Sequence, residues 1–309
     1  MFDPGIISAF VTFVTTYSLI YFQRRFRFSQ LVREDGPESH LSKKGTPSVG
    51  GLAIYLGQLF SLIPTREDPL VSFYLLSITF FAMLGLFDDI LKILKIRNGF
   101  SAKGKFLFQF LIASFLLKMI PFEIAKTFIP GFGMIAAPAI LLFFVNLFAF
   151  NGTTNATNLT DGLDGLLTMI MLSTWICIGF FVNNFIHTPS LWLLCLVNIT
   201  SLLTFLWFNC FRASIFMGDC GSLFLGAGLC SVFVFFKMPL LLIGILFVPV
   251  VETLSVMIQV TSFRLRKRRI FKMAPLHHHF EQLGYHESLI TVRFALINTV
   301  CCLATLYFL

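Results

Sequence analysis

A polar stretch at residues 150–166 separates two long apolar runs of this 309-residue sequence. It contains the carboxylates of Asp161 and Asp164 and several amides, among them Asn158, but neither Lys nor Arg. Acids beside lipid are costly, so in such a position they are first interpreted as a functional site. Without a neighbouring protein cation, these carboxylates predict a cation that arrives from outside. The alternative is a solvated loop in which Asn and Asp cap helix ends.

Two adjacent acids, Asp88 and Asp89, lie at the end of another apolar run. Adjacent carboxylates can bind a hard divalent cation. On a helix, neighbouring side chains diverge by about 100°, so the two acids can also take different roles. Lys92 follows three residues after Asp89, and its alternative role is a surface ion pair worth about 0–1 kcal/mol.

A third acid, Asp219, lies among the glycines Gly218, Gly221 and Gly226, just before an apolar helix. Glycines let a ligand approach the backbone closely, and amide groups at a helix start favour an anion. The alternative is an Asp that only caps the helix, which contributes about 1 kcal/mol.

Three consecutive histidines, His277, His278 and His279, follow the basic run at residues 264–269. They lack the i, i+4 spacing of zinc-binding histidines on a helix. They fit better as hydrogen-bond donors to phosphate or sugar oxygens. The basic run by itself is typical of a topology signal or a contact with anionic lipid.

The composition indicates how these residues are positioned, because the chain is 57% hydrophobic and only 12% charged, with 40 Phe. A water-soluble domain could not cover that much apolar surface, so the class is a polytopic membrane protein. The net charge of +8 is interpreted as a topology signal and not as a nucleic-acid surface. The seven cysteines show no metal-ligand spacing and are interpreted as small buried hydrophobic residues.

About twenty apolar residues cross the hydrocarbon core of a membrane. By that measure the sequence predicts an all-α membrane bundle of about ten spans within a single domain, 1–309. The predicted spans are 6–22, 49–63, 70–87, 106–120, 135–150, 166–182, 191–208, 223–236, 240–263 and 289–309. The predicted cytoplasmic loops are about 24–48, 88–105, 151–165, 209–222 and 264–288.

Lys and Arg are concentrated in the odd-numbered connections, which by the positive-inside bias are cytoplasmic, so both termini are expected on the opposite face. The five acids described above fall in the same connections and therefore converge on that face. A transporter would instead place ionisable groups near the middle of the membrane. Glu252 is the clear candidate there, and its alternative is a hydrogen bond between helices.

Acids for a hard cation, bases for phosphate and glycine turns thus share one face of an apolar bundle. This combination suits a reaction that joins a water-soluble polyphosphate to a lipid phosphate. In phosphoryl transfer the protein mainly positions the reactants and stabilises developing charge, and Mg²⁺ is the common partner.

Four motifs in this order resemble the polyprenyl-phosphate N-acetylhexosamine-1-phosphate transferase superfamily. They are Phe-Asp-Asp-x-x-Lys at 87–92, Asn-Leu-Thr-Asp-Gly-x-Asp-Gly at 158–165, Gly-Asp-x-Gly-Ser-Leu at 218–223 and Pro-Leu-His-His-His-Phe-Glu at 275–281. The stretches 39–51 and 252–260 resemble the branch that handles phospho-N-acetylmuramoyl-pentapeptide. The similarity extends from about residue 33 to 287, and a departure is Cys220, where a small residue such as Thr or Val is expected.

The resemblance implies a ten-span enzyme, commonly a homodimer, in the bacterial inner membrane with a cytoplasmic active site. Its substrates would be UDP-N-acetylmuramoyl-pentapeptide and undecaprenyl phosphate, its products a lipid-linked diphosphate sugar and UMP, and its cofactor Mg²⁺. Rivals are a sister transferase for a UDP-N-acetylhexosamine without the peptide and, from another class, a transporter or lipid flippase. Direct attack by the lipid phosphate and a covalent aspartyl-phosphate route both remain open.

The resemblance also implies roles for single residues. The expected catalytic residues are Asp88, Asp89, Asp219 and His277, with Asp219 as the Mg²⁺ ligand. The expected substrate-binding residues are Lys43, Lys92, one of Lys103 and Lys105, Asn158, Asp161, Asp164, Asn209, Phe216, Gln259, His278 and His279.

Overall fold

The computed structural model describes residues 3–26, 45–94, 99–120 and 125–308, and Lys43 lies outside these ranges. Twelve α-helices and one β-hairpin form the described part of the chain. The helices are α1 (Pro4–Phe26), α2 (Gly51–Leu62), α3 (Pro69–Ile93), α4 (Ala102–Lys118), α5 (Ala139–Thr160), α6 (Leu166–Phe181), α7 (Pro189–Asn209), α8 (Gly218–Phe235), α9 (Leu242–Ile245), α10 (Phe247–Arg266), α11 (Leu276–Gln282) and α12 (Glu287–Tyr307). The antiparallel hairpin pairs β1 (Lys126–Ile129) with β2 (Gly133–Ala136).

Eight of the described helices are long and apolar enough to cross a membrane, namely α1, α3, α5, α6 with the turn that follows it, α7, α8, α10 and α12. The all-α, polytopic fold class is therefore confirmed. Helices α2 and α4, which correspond to two further predicted spans, have only 12 and 17 residues. The count of ten spans and the location of both termini stay predictions.

Helix α8 forms the centre of the bundle and is mostly buried, packed between α3 and α5. Close approach at its start depends on glycines in the neighbouring helices. A Cβ at Gly85 of α3 would collide with the backbone of Asp219, and a Cβ at Gly51 of α2 would collide with Gly221. These two contacts bring the ends of three helices to one place, which we call the site end of the bundle.

The predicted loop at 151–165 is wrong for its first ten residues, because α5 continues to Thr160. Polar side chains of this segment donate to carbonyls of the same helix: Asn151 Nδ2 to the Leu147 carbonyl at 2.9 Å and Thr154 Oγ1 to the Phe150 carbonyl at 2.8 Å. Thr157 Oγ1 also donates to the Ser222 carbonyl of α8 at 2.7 Å. The polar island is therefore mainly a buried helix face and not a solvated loop.

The other loop boundaries need similar corrections. Helix α3 extends through Ile93 and contains both Asp88 and Asp89, and α8 already begins at Gly218. The predicted loops at 24–48 and 264–288 include the end of α1, the end of α10 and all of α11. An apolar count ends α1, α3 and α10 too early and starts α8 too late because polar residues continue these helices, and it misses the polar helix α11.

The predicted span at 240–263 is interrupted at Leu246, between α9 and α10. Asn298 of α12 stabilises this break, because its Oδ1 accepts from the Val248 N–H at 3.1 Å and its Nδ2 donates to the Ile245 carbonyl at 3.2 Å. The boundary between the predicted spans 223–236 and 240–263 is confirmed, since α8 ends at Phe235 and a short 3-10 turn begins at Pro239.

Candidate active site

Four helices contribute to a cluster around Asp219 at the site end of the bundle. One carboxylate oxygen, Oδ2, lies 2.5 Å from Nζ of Lys92 on α3 and 2.7 Å from Nζ of Lys105 on α4. The other, Oδ1, accepts a 2.8 Å hydrogen bond from Nδ2 of Asn158 on α5. Residues from widely separated parts of the sequence thus meet at one carboxylate in the first turn of α8.

Asp88 is buried and shares the same two lysines with Asp219. Its Oδ2 lies 2.8 Å from Lys92 Nζ and 3.6 Å from Lys105 Nζ, and its Oδ1 accepts from the Phe100 N–H at 2.5 Å. Gly99 has φ +84°, and a Cβ there would lie 2.6 Å from Asp88 Oδ1, so the chain needs a glycine at this turn. The alternative of a surface ion pair for Lys92 is wrong, because its ammonium lies inside the cluster between two carboxylates.

Asp89 lies at the edge of this cluster, with its Oδ1 3.9 Å from Lys92 Nζ, and its main contacts are with α8. Its Oδ1 accepts from the backbone N–H of Asp219 at 3.1 Å, and its Oδ2 accepts from that of Cys220 at 2.9 Å. Asp89 therefore caps α8 from another helix, and Asp219 is not itself the cap. The prediction that the adjacent acids can differ in role matches this geometry, which gives Asp89 a positioning contact and leaves its catalytic role a prediction.

The turn between α5 and α6 brings Asp161 beside Asp219. Removal of water from around the half-buried Asp161 carboxylate, together with the negative charges of Asp219 and Asp89, raises its pKa to about 8. The backbone N–H of Gly218 donates to this carboxylate and lowers the pKa in part. Asp161 is thus held next to the cluster at a position where a cation or a proton would relieve repulsion between acids.

Asp164 and Asn209 make contacts within the protein. Asp164 Oδ2 accepts from the Ala213 N–H at 2.9 Å. Asn209 accepts from Thr168 Oγ1 at 2.6 Å and donates to the Ile215 carbonyl at 3.0 Å. Both side chains therefore hold the 209–217 segment in place, and direct contact of either with substrate stays a prediction.

The three histidines lie on α11 and face different partners. His277 is buried, and its Nδ1 lies 3.2 Å from Oε1 of Glu252 on α10. His278 Nδ1 lies 2.7 Å from Glu281 Oε2, and His279 Nδ1 accepts from the Lys272 N–H at 3.1 Å. Of the three, His277 is next to the Asp161 turn, because a Cβ at Gly162 would collide with its ring.

Three other expected substrate contacts differ in their surroundings. Gln259 Oε1 accepts from the N–H groups of Ile270 and Phe271, so this amide holds the loop after α10. Phe216 is half-buried and its backbone pairs with Pro47 and Gly50. Lys103 is exposed, whereas Lys105 lies in the cluster, so the geometry favours Lys105 of the two lysines.

The described residues contain no group of three or more His, Cys, Asp or Glu side chains arranged to hold a metal ion. Even so, the Lys92 ammonium lies between the carboxylates of Asp88 and Asp219, which marks a position that suits a cation. Carboxylate and amide oxygens are the ligands that Mg²⁺ prefers in proteins. The donor set of Asp88, Asp219 and Asn158 therefore fits a hard cation.

Sequence reasoning missed Ser222 as a contributor to the site. Ser222 Oγ accepts from Asn158 Nδ2 at 2.8 Å and so orients the amide that contacts Asp219. Its place in the Gly-Asp-x-Gly-Ser-Leu motif was an available signal. For Glu252, the alternative of a hydrogen bond between helices is confirmed, because its carboxylate on α10 accepts from two N–H groups of α11, and the transport interpretation gains no support.

Comparison with known proteins identifies relatives over the whole chain. Residues 71–237 match the family model described as glycosyl transferase family 4. The chain is 39% identical over 320 aligned residues to the phospho-N-acetylmuramoyl-pentapeptide-transferase of Clostridium perfringens (strain 13 / Type A), which covers 98% of each chain. It is 40% identical to the protein of that name from Rubrobacter xylanophilus, with 95% of this chain and 92% of the relative covered.

Proposed function

Since the chain belongs to glycosyl transferase family 4 and, within it, to the phospho-N-acetylmuramoyl-pentapeptide transferases, we propose the reaction that this name describes. The enzyme transfers phospho-N-acetylmuramoyl-pentapeptide from UDP-N-acetylmuramoyl-pentapeptide to undecaprenyl phosphate and releases UMP. The observation that carries the proposal is the cluster of two acids, two lysines and one amide at the ends of four helices. Such a cluster can bind a diphosphate and stabilise the charge that develops on it during the reaction.

The lysines bind phosphate oxygens in this proposal. Lys92 and Lys105 both contact Asp219 Oδ2, and Lys92 also contacts Asp88. When a diphosphate enters, its oxygens compete with the carboxylates for the ammonium groups. Asp219, Asp88 and Asn158 would then hold Mg²⁺, which would neutralise charge on the diphosphate.

The attacking group is an oxygen of the lipid phosphate. A phosphate monoester has a second pKa near 6, so this oxygen is mostly ionised at neutral pH and does not require a strong general base. Asp88 then orients Lys92 and Lys105 and excludes water. Direct attack by the lipid phosphate is therefore simpler than a route through a covalent enzyme intermediate. Trapping of a phosphorylated aspartate would favour the covalent route instead.

An apolar groove of about 350 Å³ supports a lipid acceptor. It lies between α5 and the α9–α10 segment and is lined by Phe148, Ala156, Ile243 and Leu246, among others. Ala156 is two residues before Asn158, so the groove ends at the same level of α5 as the cluster, on another face of the helix. A polyprenyl chain in this groove would bring its phosphate to that level of the bundle.

The location is a further part of the proposal. Positive residues concentrate in the loops at the site end, which supports an active site on the cytoplasmic side of the bacterial inner membrane. The homodimer implied by the family resemblance is also proposed.

The test is UMP release by purified protein in detergent, given UDP-N-acetylmuramoyl-pentapeptide and undecaprenyl phosphate, with and without Mg²⁺. UDP-N-acetylglucosamine serves as the alternative donor. Mg²⁺-dependent release with the pentapeptide donor alone supports the proposal. Release with the simpler sugar alone assigns the chain to the sister reaction, and no release from either donor by folded protein overturns the proposal.

A further inference from the structure

Glu252 and His277 form a buried pair between α10 and α11. Both side chains are only 1% exposed. Glu252 Oε2 accepts from the Leu276 N–H at 2.5 Å, and its Oε1 accepts from the His277 N–H at 3.1 Å. The same Oε1 lies 3.2 Å from His277 Nδ1. One carboxylate therefore fixes both the start of α11 and the ring of its second residue.

The contact with a carboxylate determines which ring nitrogen carries the proton. A carboxylate is only an acceptor, so Nδ1 of His277 must carry the hydrogen that points at Glu252. In the neutral ring, Nε2 is then an unprotonated acceptor. The hydrogen bond at one nitrogen of a histidine thus sets the chemistry of the other, as it does where a carboxylate orients a ligating histidine.

The Nε2 atom is buried and has no hydrogen-bond partner in the part of the chain that the structure describes. It faces Gly162, where a Cβ would collide with it, and Gly162 follows Asp161 directly. A buried polar atom without a partner costs about 1–3 kcal/mol. Such an atom beside the acidic turn of an active site therefore indicates a partner that the protein itself does not supply.

We propose that Glu252 is a positioning residue for His277. It holds the ring as the Nδ1–H tautomer against the 161–165 turn and keeps Nε2 as a hydrogen-bond acceptor for an O–H or N–H group of the nucleotide-sugar donor. The proposal rests on the transferase function proposed above for the identity of the donor. It assigns a role to Glu252, an acid that is not part of the charged cluster around Asp219.

The tautomer can be measured without any enzyme assay. In protein labelled with ¹⁵N-histidine, the His277 signals, assigned by their loss in His277→Gln, are expected to show a protonated Nδ1 and an unprotonated Nε2. Addition of UDP-N-acetylmuramoyl-pentapeptide is expected to shift the Nε2 signal. An Nε2–H tautomer in the free enzyme, or an Nε2 signal that the donor does not change, overturns the proposal.

Kinetics distinguish positioning from simple helix capping. Glu252→Gln places an amide at Nδ1 that can donate, so the other tautomer is favoured and kcat/KM for the donor is expected to fall about 10- to 100-fold. If Glu252 acts through the His277 ring, the double variant Glu252→Gln/His277→Gln has a kcat/KM less than about twofold below that of His277→Gln alone. Full additivity of the two losses would show that Glu252 only stabilises α11.

Gly162→Ala tests the same contact from the other side. Its Cβ would occupy the space of His277 Nε2 and displace the ring, so a loss similar to that of Glu252→Gln is expected. Thr253→Ala, which removes only a bond to the Pro249 carbonyl on the same helix, is the matched control. Wild-type kcat/KM in Gly162→Ala contradicts the proposal. Absence of UMP release in wild-type protein contradicts the transferase function and leaves the tautomer result intact.

Discussion

The carboxylate of Asp89 accepts a hydrogen bond from the backbone N–H of Asp219, 130 positions later in the sequence. Its other oxygen accepts from the next N–H of α8, at Cys220. Asp89 thus sets the position of the helix turn on which Asp219 stands, whereas its neighbour Asp88 shares Lys92 and Lys105 with Asp219. The two adjacent acids therefore predict different consequences when they are changed.

Asp89→Asn is expected to reduce both stability and activity. An amide can accept through only one atom, so one buried N–H of α8 loses its partner, at a cost of about 1–3 kcal/mol. The displaced turn also moves Asp219, so UMP release falls. Thermal unfolding and UMP release on the same preparation measure the two effects.

Asp68→Ala, which removes a helix cap worth about 1 kcal/mol, is the control for Asp89→Asn. Asp68 caps α3 by accepting from the Leu70 and Val71 N–H groups, in a part of the bundle that does not contribute to the cluster. This variant should lose stability while it keeps its activity. If Asp89→Asn also kept its activity at the same loss of stability, the positioning contact would have no role in the reaction.

Lys105 and Lys103 are expected to differ strongly, although they are two residues apart on α4. Lys105 Nζ lies 2.7 Å from Asp219, and Lys103 is exposed. Lys105→Met removes a charge-assisted contact to phosphate, which contributes about 1.5–3 kcal/mol, so kcat/KM should fall about 10-fold or more. Steady-state kinetics of both variants check this, and a larger loss in Lys103→Met would contradict the placement of Lys105.

The sequence predicts which residues belong to the site, but it does not predict which of them contact each other. The acids, lysines and histidines stand out because such residues are rare in an apolar chain, and their motifs place them on one face. The family resemblance added roles that spacing alone does not give. The class of fold followed from composition, since no soluble arrangement accommodates so many apolar residues.

The pairings themselves could not be predicted from the sequence. That Asp89 caps α8 depends on the packing of α3 against it, which Gly85 permits. Glu252 binds a segment 24 and 25 positions away, and no local pattern reports that contact. The end of α5 was also missed, because Asn151 and Thr154 are typical of loops unless a neighbouring helix buries them.

Asp219→Asn and Asp88→Asn are expected to separate the main Mg²⁺ ligand from an acid that mainly orients the two lysines. Asp219 is bound by two lysines and Asn158 and is the proposed main Mg²⁺ ligand. Its replacement should lower kcat about 100-fold or more, because charge on the diphosphate is no longer neutralised. Asp88→Asn should keep part of the activity, since the lipid phosphate is already ionised. Chelation of Mg²⁺ should stop wild-type UMP release, and near-normal turnover of Asp219→Asn at limiting Mg²⁺ would show that the metal assignment is wrong.

The groove beside α5 predicts a variant that affects one substrate only. Gly152 lines the groove, and a Cβ added there meets no atom within 4 Å, so Gly152→Leu can fill the space without strain in the fold. The leucine would occupy part of the path of an apolar chain, at a cost of about 1–3 kcal/mol in binding. KM for undecaprenyl phosphate should therefore rise about 10-fold, and KM for the nucleotide donor should stay unchanged.

An acceptor with a chain too short to reach Gly152 should be affected less. Leu203→Phe, on the exposed face of α7, is the control for a larger apolar side chain outside the groove. If KM for the two acceptors and the donor changed together, the groove would not be the site of the lipid chain.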